Sequence, residues 1–113
     1  MKKDGSDLDA VNIINKTFEY LEKNYPQKQK VNVKICEGYD CIETPEGIGF
    51  AVFVPDTLEI YIATDVPDYE RTLIETMAHE YKHFMQYCEG KSFDEDEADA
   101  FALYILYLMQ NNS

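Results

Sequence analysis

The chain has 113 residues, 45% hydrophobic and 13% aromatic, which is enough apolar material for one core and too little for two. Its formal net charge of -12, from 22 acidic and 10 basic residues, makes the average surface repel phosphate backbones and anionic lipid heads, so neither nucleic acid nor a membrane is an expected partner. Three cysteines, Cys36, Cys41 and Cys88, form an odd set without CxxC spacing, which argues against a disulfide framework or a thiolate metal site.

Met1 to Asp7 holds two lysines but no apolar run, so it reads as a flexible start rather than a secretory signal or a membrane span. The expected location is the cytoplasm. From Leu8 to about Asn24, Leu8, Val11, Ile14, Phe18 and Leu21 recur at three- and four-residue steps, which predicts an amphipathic helix closed by Pro26. Val31, Val33 and Ile35 alternate with Asn32, Lys34 and Cys36, the pattern of a strand with one buried face. Gly38, Pro45 and Gly47 mark a loop. Ile48 to Val54 is almost continuously apolar, Pro55-Asp56-Thr57 has turn chemistry, and Leu58, Ile60 and Ile62 alternate with Glu59, Tyr61 and Ala63, which predicts an antiparallel hairpin. A helix follows from about Tyr69 to Cys88, with Gly90 as its stop, and a last helix runs from near Asp94 to Met109. The expected fold is a single α+β domain, 1-113, with an N-terminal helix, a three-stranded and largely antiparallel sheet, and two C-terminal helices.

The chain's only two histidines stand in His79-Glu80-Tyr81-Lys82-His83, within the helix predicted from about Tyr69 to Cys88. Residues at i and i+4 share a helix face, so both imidazoles can reach one metal ion while Glu80 flanks it. A chance match in a chain of this length has odds well under ~1%. Two histidines do not complete a catalytic zinc site, which takes three protein ligands and keeps a fourth position for water. In Glu95-Asp96-Glu97-Ala98-Asp99-Ala100-Phe101-Ala102, Glu95 and Asp99 share a face, and the small Ala98 and Ala102 let two helices approach closely.

On these residues the chain resembles the gluzincin metallopeptidases, in which HExxH is followed on a second helix by a Glu ligand and, four residues later, an Asp. The run Glu95-x-x-Ala98-Asp99-Ala100-Phe101-Ala102 looks like the ExxAD-type second motif of membrane CAAX-type peptidases and their soluble single-domain relatives, the minigluzincins. It is also similar to a segment of the anti-repressor peptidases of phages and mobile elements. The resemblance covers roughly Tyr69 to Leu108, with a hairpin ahead of it. It implies a zincin-like fold in which His79, His83 and Glu95 bind Zn2+, Glu80 is the general base, and Asp99 orients His79. The implied activity is hydrolysis of peptide bonds by a zinc-bound water. The chemistry suits these residue types, because zinc brings the pKa of its water towards ~7 and an adjacent carboxylate can carry the proton to the leaving amine. A metal-bound histidine gives its other ring proton to a carboxylate or carbonyl, a place Asp99 can fill.

Other assignments compete for the same residues. Glu95 can close a capping box, Ser92-Phe93-Asp94-Glu95, and Asp94 with Glu97 offers the same box; Glu97 is the competing ligand. Asp99 can be a solvated helix charge, and the acidic start Asp94 to Glu97 can simply favour the macrodipole. The stripe from Phe101 through Leu103 to Leu108 is expected to be core, with a dimer face as the alternative, so the protein is a monomer or weak dimer. Lys82 stands inside the motif where an uncharged residue is usual, although at 100° per residue it leaves the metal-facing stripe. Only eleven residues separate His83 from Glu95, which demands a tight turn. Apart from Arg71 no arginine is present, so an oxyanion partner has to be the metal, a lysine or a tyrosine such as Tyr87, Tyr104 or Tyr107. A peptide or protein substrate is expected along the strand Thr57 to Ala63, taken as a free edge, with acidic segments disfavoured. Two rivals from other classes remain: a non-catalytic zinc-stabilised regulatory or protein-binding domain, and an acidic mimic that binds a DNA-binding protein.

Overall fold

In the computed structural model, which describes residues 3–111, the chain runs α1 (Lys3–Asn24), β1 (Asn32–Cys36), β2 (Ile42–Thr44), β3 (Gly47–Gly49), β4 (Ala51–Val54), β5 (Glu59–Ala63), α2 (Tyr69–Cys88) and α3 (Glu95–Asn111). Three helices and a small mixed sheet make an α+β fold. No helix among the described residues is long and apolar enough to cross a membrane.

α1 begins ahead of Leu8, where its apolar spacing starts; of the stretch 1–7 read as flexible, residues 1–2 lie outside the described residues. Its buried line is Ala10, Ile14, Thr17 and Leu21, while Leu8 is exposed and Phe18 only partly covered. Thr17 fits among apolar neighbours because its hydroxyl donates to the Ile13 carbonyl at 2.8 Å, satisfying its polar atom within the helix.

The sheet differs from the expected antiparallel one. β5 is its central strand, antiparallel to β4 and parallel to β1, and β2 with β3 forms a separate two-stranded ladder. Register puts Val33 and Ile35 of β1, Ile60 and Ile62 of β5, and Ala51 and Phe53 of β4 on one face. Ile60, Ile62, Ala51 and Phe53 are buried there. The other face carries Lys34, Glu59 and Tyr61, whose hydroxyl donates to Glu59 at 2.7 Å. Thr57 to Ala63 is therefore no free edge, because β1 returns to pair along the side that a simple hairpin would have left open. The free edge beside α2 belongs to β4.

The apolar run Ile48 to Val54 is divided. Gly47, at φ +132°, permits a turn in which the Thr44 hydroxyl accepts from Glu46 N and donates to the Gly47 carbonyl, closing the β2–β3 hairpin in what was expected to be a loop. The chain then bends at Phe50 before β4, where the Phe50 carbonyl accepts from Ala63 N at 2.9 Å.

α2 touches α1, α3, β4 and β5. It buries Leu73, Met77, Ala78, Tyr81, Phe84 and Met85. α3 lays Ala98, Ala102, Ile105 and Leu106 inward, and the two alanines are the small residues that a close helix approach calls for. The expected core stripe splits here, since Leu103, Tyr104 and Tyr107 are exposed on the opposite side.

Tyr81 is 1% exposed, and its hydroxyl donates to the Tyr25 carbonyl at 2.8 Å, tying α2 to the chain just beyond α1. Burial, with smaller contributions from Glu22 and Cys88, pushes its phenol from 10.0 up to about 12. The folded pKa is raised, so the stabilisation is complete below the unfolded value near ~10 and is lost as pH climbs towards ~12. Denaturant melts across this window are expected to show falling stability in wild type. Tyr81→Phe should cost about 1 kcal/mol at neutral pH and remove part of that alkaline loss.

Candidate metal centre

Four-residue spacing on α2 sets His79 and His83 side by side, with ring centroids 4.8 Å apart and planes at 82°. Glu95, the first residue of α3, meets both, its carboxylate oxygens lying 3.0 Å from His79 Nε2 and 3.3 Å from His83 Nε2. The donor atoms of this trio lie within 4.8 Å of one another, a cluster able to hold a metal ion. Tetrahedral ligands at metal distances of ~2.0–2.1 Å stand roughly 3.3–3.4 Å apart, close to the 3.0 and 3.3 Å between Glu95 and the two rings.

The turn between the helices is as tight as the eleven-residue interval requires. Gly90, at φ +73°, donates its N–H to the Tyr87 carbonyl at 3.0 Å, and Lys91 N donates to the Gln86 carbonyl at 2.9 Å, a Schellman ending that satisfies two terminal carbonyls. Asp94 then caps α3, its Oδ1 accepting from Glu97 N at 3.1 Å. The cap thus uses Asp94 and Glu97, not Ser92 and Glu95, and leaves the Glu95 side chain to the histidines. Glu97 faces away from them and accepts from Gln86 Nε2 at 2.8 Å.

Each imidazole has a partner for its other nitrogen. His79 Nδ1 lies 3.0 Å from Asp99 Oδ1, one turn along α3 from Glu95. His83 Nδ1 lies 2.9 Å from Gln86 Oε1. A carboxylate only accepts and the Gln86 oxygen is fixed as an acceptor, so both Nδ1 atoms donate, and both Nε2 atoms face the Glu95 carboxylate. Two Nε2 atoms and a carboxylate converge at this range, an arrangement that a proton or a metal cation between them satisfies. The donor set fits a borderline metal that takes imidazole and carboxylate together.

Glu80 sits beside this trio, with Oε1 accepting from Phe53 N on β4 at 2.9 Å. Burial raises its carboxyl above the usual range and Glu95 adds to the rise, while His79, His83 and the Phe53 N–H pull it back. Phe50 is hydrogen-bonded to Ala63, so alternation turns the N–H and C=O groups of Ala51 and Phe53 away from β5, towards α2. Lys82 leaves the metal-facing stripe and lies 5.2 Å over the Phe101 ring.

A cleft opens at the trio in two lobes that share Gly49, Ala51, His79 and Glu80. The larger, of about 500 Å³, runs between the β2–β3 hairpin and α3 along Ile48, Val52, Phe53 and Phe93. The smaller, of about 290 Å³, is walled by Phe50, Glu75, Thr76 and Asp99. Among the described residues no lysine or arginine lines either lobe, and Tyr87, Tyr104 and Tyr107 line neither. No protein-family model, curated protein or solved structure matches the chain.

Two groups at the site escape sequence reasoning. The Phe53 N–H is backbone and has no letter of its own. Gln86 left a faint signal, a lone amide following Phe84 and Met85 on an apolar helix face.

Metal analysis after gel filtration in a divalent transition metal is expected to give about one ion per chain. His83→Ala and Glu95→Ala should fall to background, whereas Glu97→Gln, which keeps an acceptor for Gln86, should retain the ion. Asp99→Ala should weaken affinity about 10–100-fold.

Proposed function

We propose that the chain is a small zinc-dependent metallopeptidase, zincin-like in fold and gluzincin in type, with His79, His83 and Glu95 as ligands, Glu80 as general base and Asp99 as the acceptor that orients His79. The observation that carries this reading is the position of Glu80, a raised-pKa carboxylate beside the three donors in a cleft bounded by a free strand edge. A structural site has no use for such a group.

Zinc held by these residues supplies Lewis acidity and acidifies a coordinated water towards pKa ~7. Glu80 keeps Oε1 on the Phe53 N–H, which leaves Oε2 to receive a proton from the attacking water and return it to the departing amine. Burial, which raises the Glu80 pKa above the usual carboxylate range, makes it a better proton acceptor than an exposed carboxylate. Asp99 and Gln86 hold the Nδ1 protons, so neither ring turns away during the cycle.

The substrate is a peptide or protein segment lying extended along β4, in place of the expected Thr57 to Ala63, with the N–H and C=O of Ala51 and the C=O of Phe53 as the pairing edge, the Phe53 N–H being held by Glu80. Glu46, Glu75, Glu95 and Asp99 along the lobes disfavour acidic segments.

A second reading, a non-catalytic domain in which zinc ties α2 to α3, draws on the way the ligands bridge those two helices across one short turn. Glu80→Gln separates the two. With one zinc bound to each protein, hydrolysis of a peptide library by wild type and a ~10²–10⁴-fold loss in the variant is the expected result. A zinc-loaded wild type that cleaves nothing, and is matched by the variant, would leave the second reading standing.

A further inference from the structure

Gln86 is 1% exposed, and all the bonding capacity of its amide is spent on the elements around the donor trio. Oε1 accepts from His83 Nδ1 at 2.9 Å and from Asp94 N at 3.1 Å, while Nε2 donates to the Asp94 carbonyl at 3.1 Å and to Glu97 Oε1 at 2.8 Å. An amide has two acceptor sites and two donors, and each is used. Rotating it by half a turn would set its NH2 against the Asp94 N–H and its oxygen against a carbonyl and a carboxylate. The orientation is therefore fixed from the α3 side.

That fixed oxygen decides the state of His83. With Oε1 held in place by Asp94, the ring can meet it only by donating from Nδ1, so the neutral His83 ring presents its Nε2 lone pair on the side of Glu95. The same amide grips both the N–H and the C=O of Asp94, the residue directly before Glu95. One side chain of α2 thus sets the tautomer of one donor and the backbone position of another, sixteen and twelve residues after the two histidines.

We infer that Gln86 is the positioning residue that couples the tautomer of His83 to the placement of Glu95, so that the two become metal donors together. The inference rests on the proposed metal site for its consequence in affinity, but the tautomer is a property of the metal-free chain. A side chain that merely closed the α2–α3 turn would leave the His83 ring proton where it is.

The experiment compares wild type, Gln86→Met and Gln86→Glu by nitrogen-15 NMR of the histidine rings in metal-free protein, and by zinc affinity in competition with a chromophoric chelator. In wild type, the neutral His83 ring should carry its proton on Nδ1 alone. Gln86→Met, folded by NMR, should give a mixture of His83 tautomers with His79 unchanged, and zinc affinity about 10–100-fold lower. Gln86→Glu supplies an acceptor to His83 but opposes Glu97 and the Asp94 carbonyl. It should therefore keep the Nδ1 tautomer yet lose affinity, and adding Glu97→Gln, which restores a donor opposite the new carboxylate, should recover part of the loss. If Gln86→Met does not fold, the Gln86→Glu pair carries the test alone.

A single Nδ1 tautomer in Gln86→Met with affinity within twofold of wild type would overturn the inference, as would a Gln86→Glu variant that binds zinc as wild type does. Absence of zinc binding in wild type would count against the proposed function instead, and the ring-nitrogen spectra of Gln86→Met would still decide the role of Gln86.

Discussion

Two imidazole Nε2 atoms converge on one carboxylate at about a hydrogen-bond length, and holding these three side chains together is the constraint that the surrounding contacts serve. Free in solvent, such side chains would spread over many other rotamers. They stay because each is held from behind: His79 by Asp99, His83 by Gln86, and Glu95 by a capped helix start that Gln86 also grips. The cluster is assembled by its neighbours before any ion arrives, which lowers the ordering cost of binding one.

α2 makes this arrangement possible because it is a scaffold on several sides at once. One face buries Tyr81 and Phe84 towards α1 and the sheet, and another presents the histidines towards α3. Phe53 reinforces the junction twice, its ring meeting Phe84, Tyr87 and Phe93 edge-on and its N–H holding Glu80. Glu80 and the two histidines are thus carried by one helix, while the β4 edge is bonded to that same helix through Glu80. A shift in one part is transmitted to the others.

Legibility in the sequence follows from how local each determinant is. The helices could be read because apolar periodicity persists over several turns and Pro26 and Gly90 punctuate it. The partners of the strands could not, since alternation of Val33 and Ile35 against Lys34 and Cys36 reports which face is buried but not which strand lies alongside. The division of the run from Ile48 to Val54 turned on two glycines around a single isoleucine, too short a signal to mark a hairpin. At the site, His79, His83, Glu95 and Asp99 declared themselves by four-residue spacing. Gln86 did not, because its meaning lies in a contact with Asp94 across a turn.

The β2–β3 hairpin pairs only with itself, and β3 carries the exposed Ile48 at the rim of the larger lobe. Its ladder shares no register with the three-stranded sheet, so residues can be exchanged or inserted there without slipping β4 against β5. The wall of the cleft touches the sheet, through β2 against β4 and β5, but sets no register in it. In descent, the residues that line the cleft at the hairpin can change while the helices that carry the histidines and Glu95 stay under unchanged constraint.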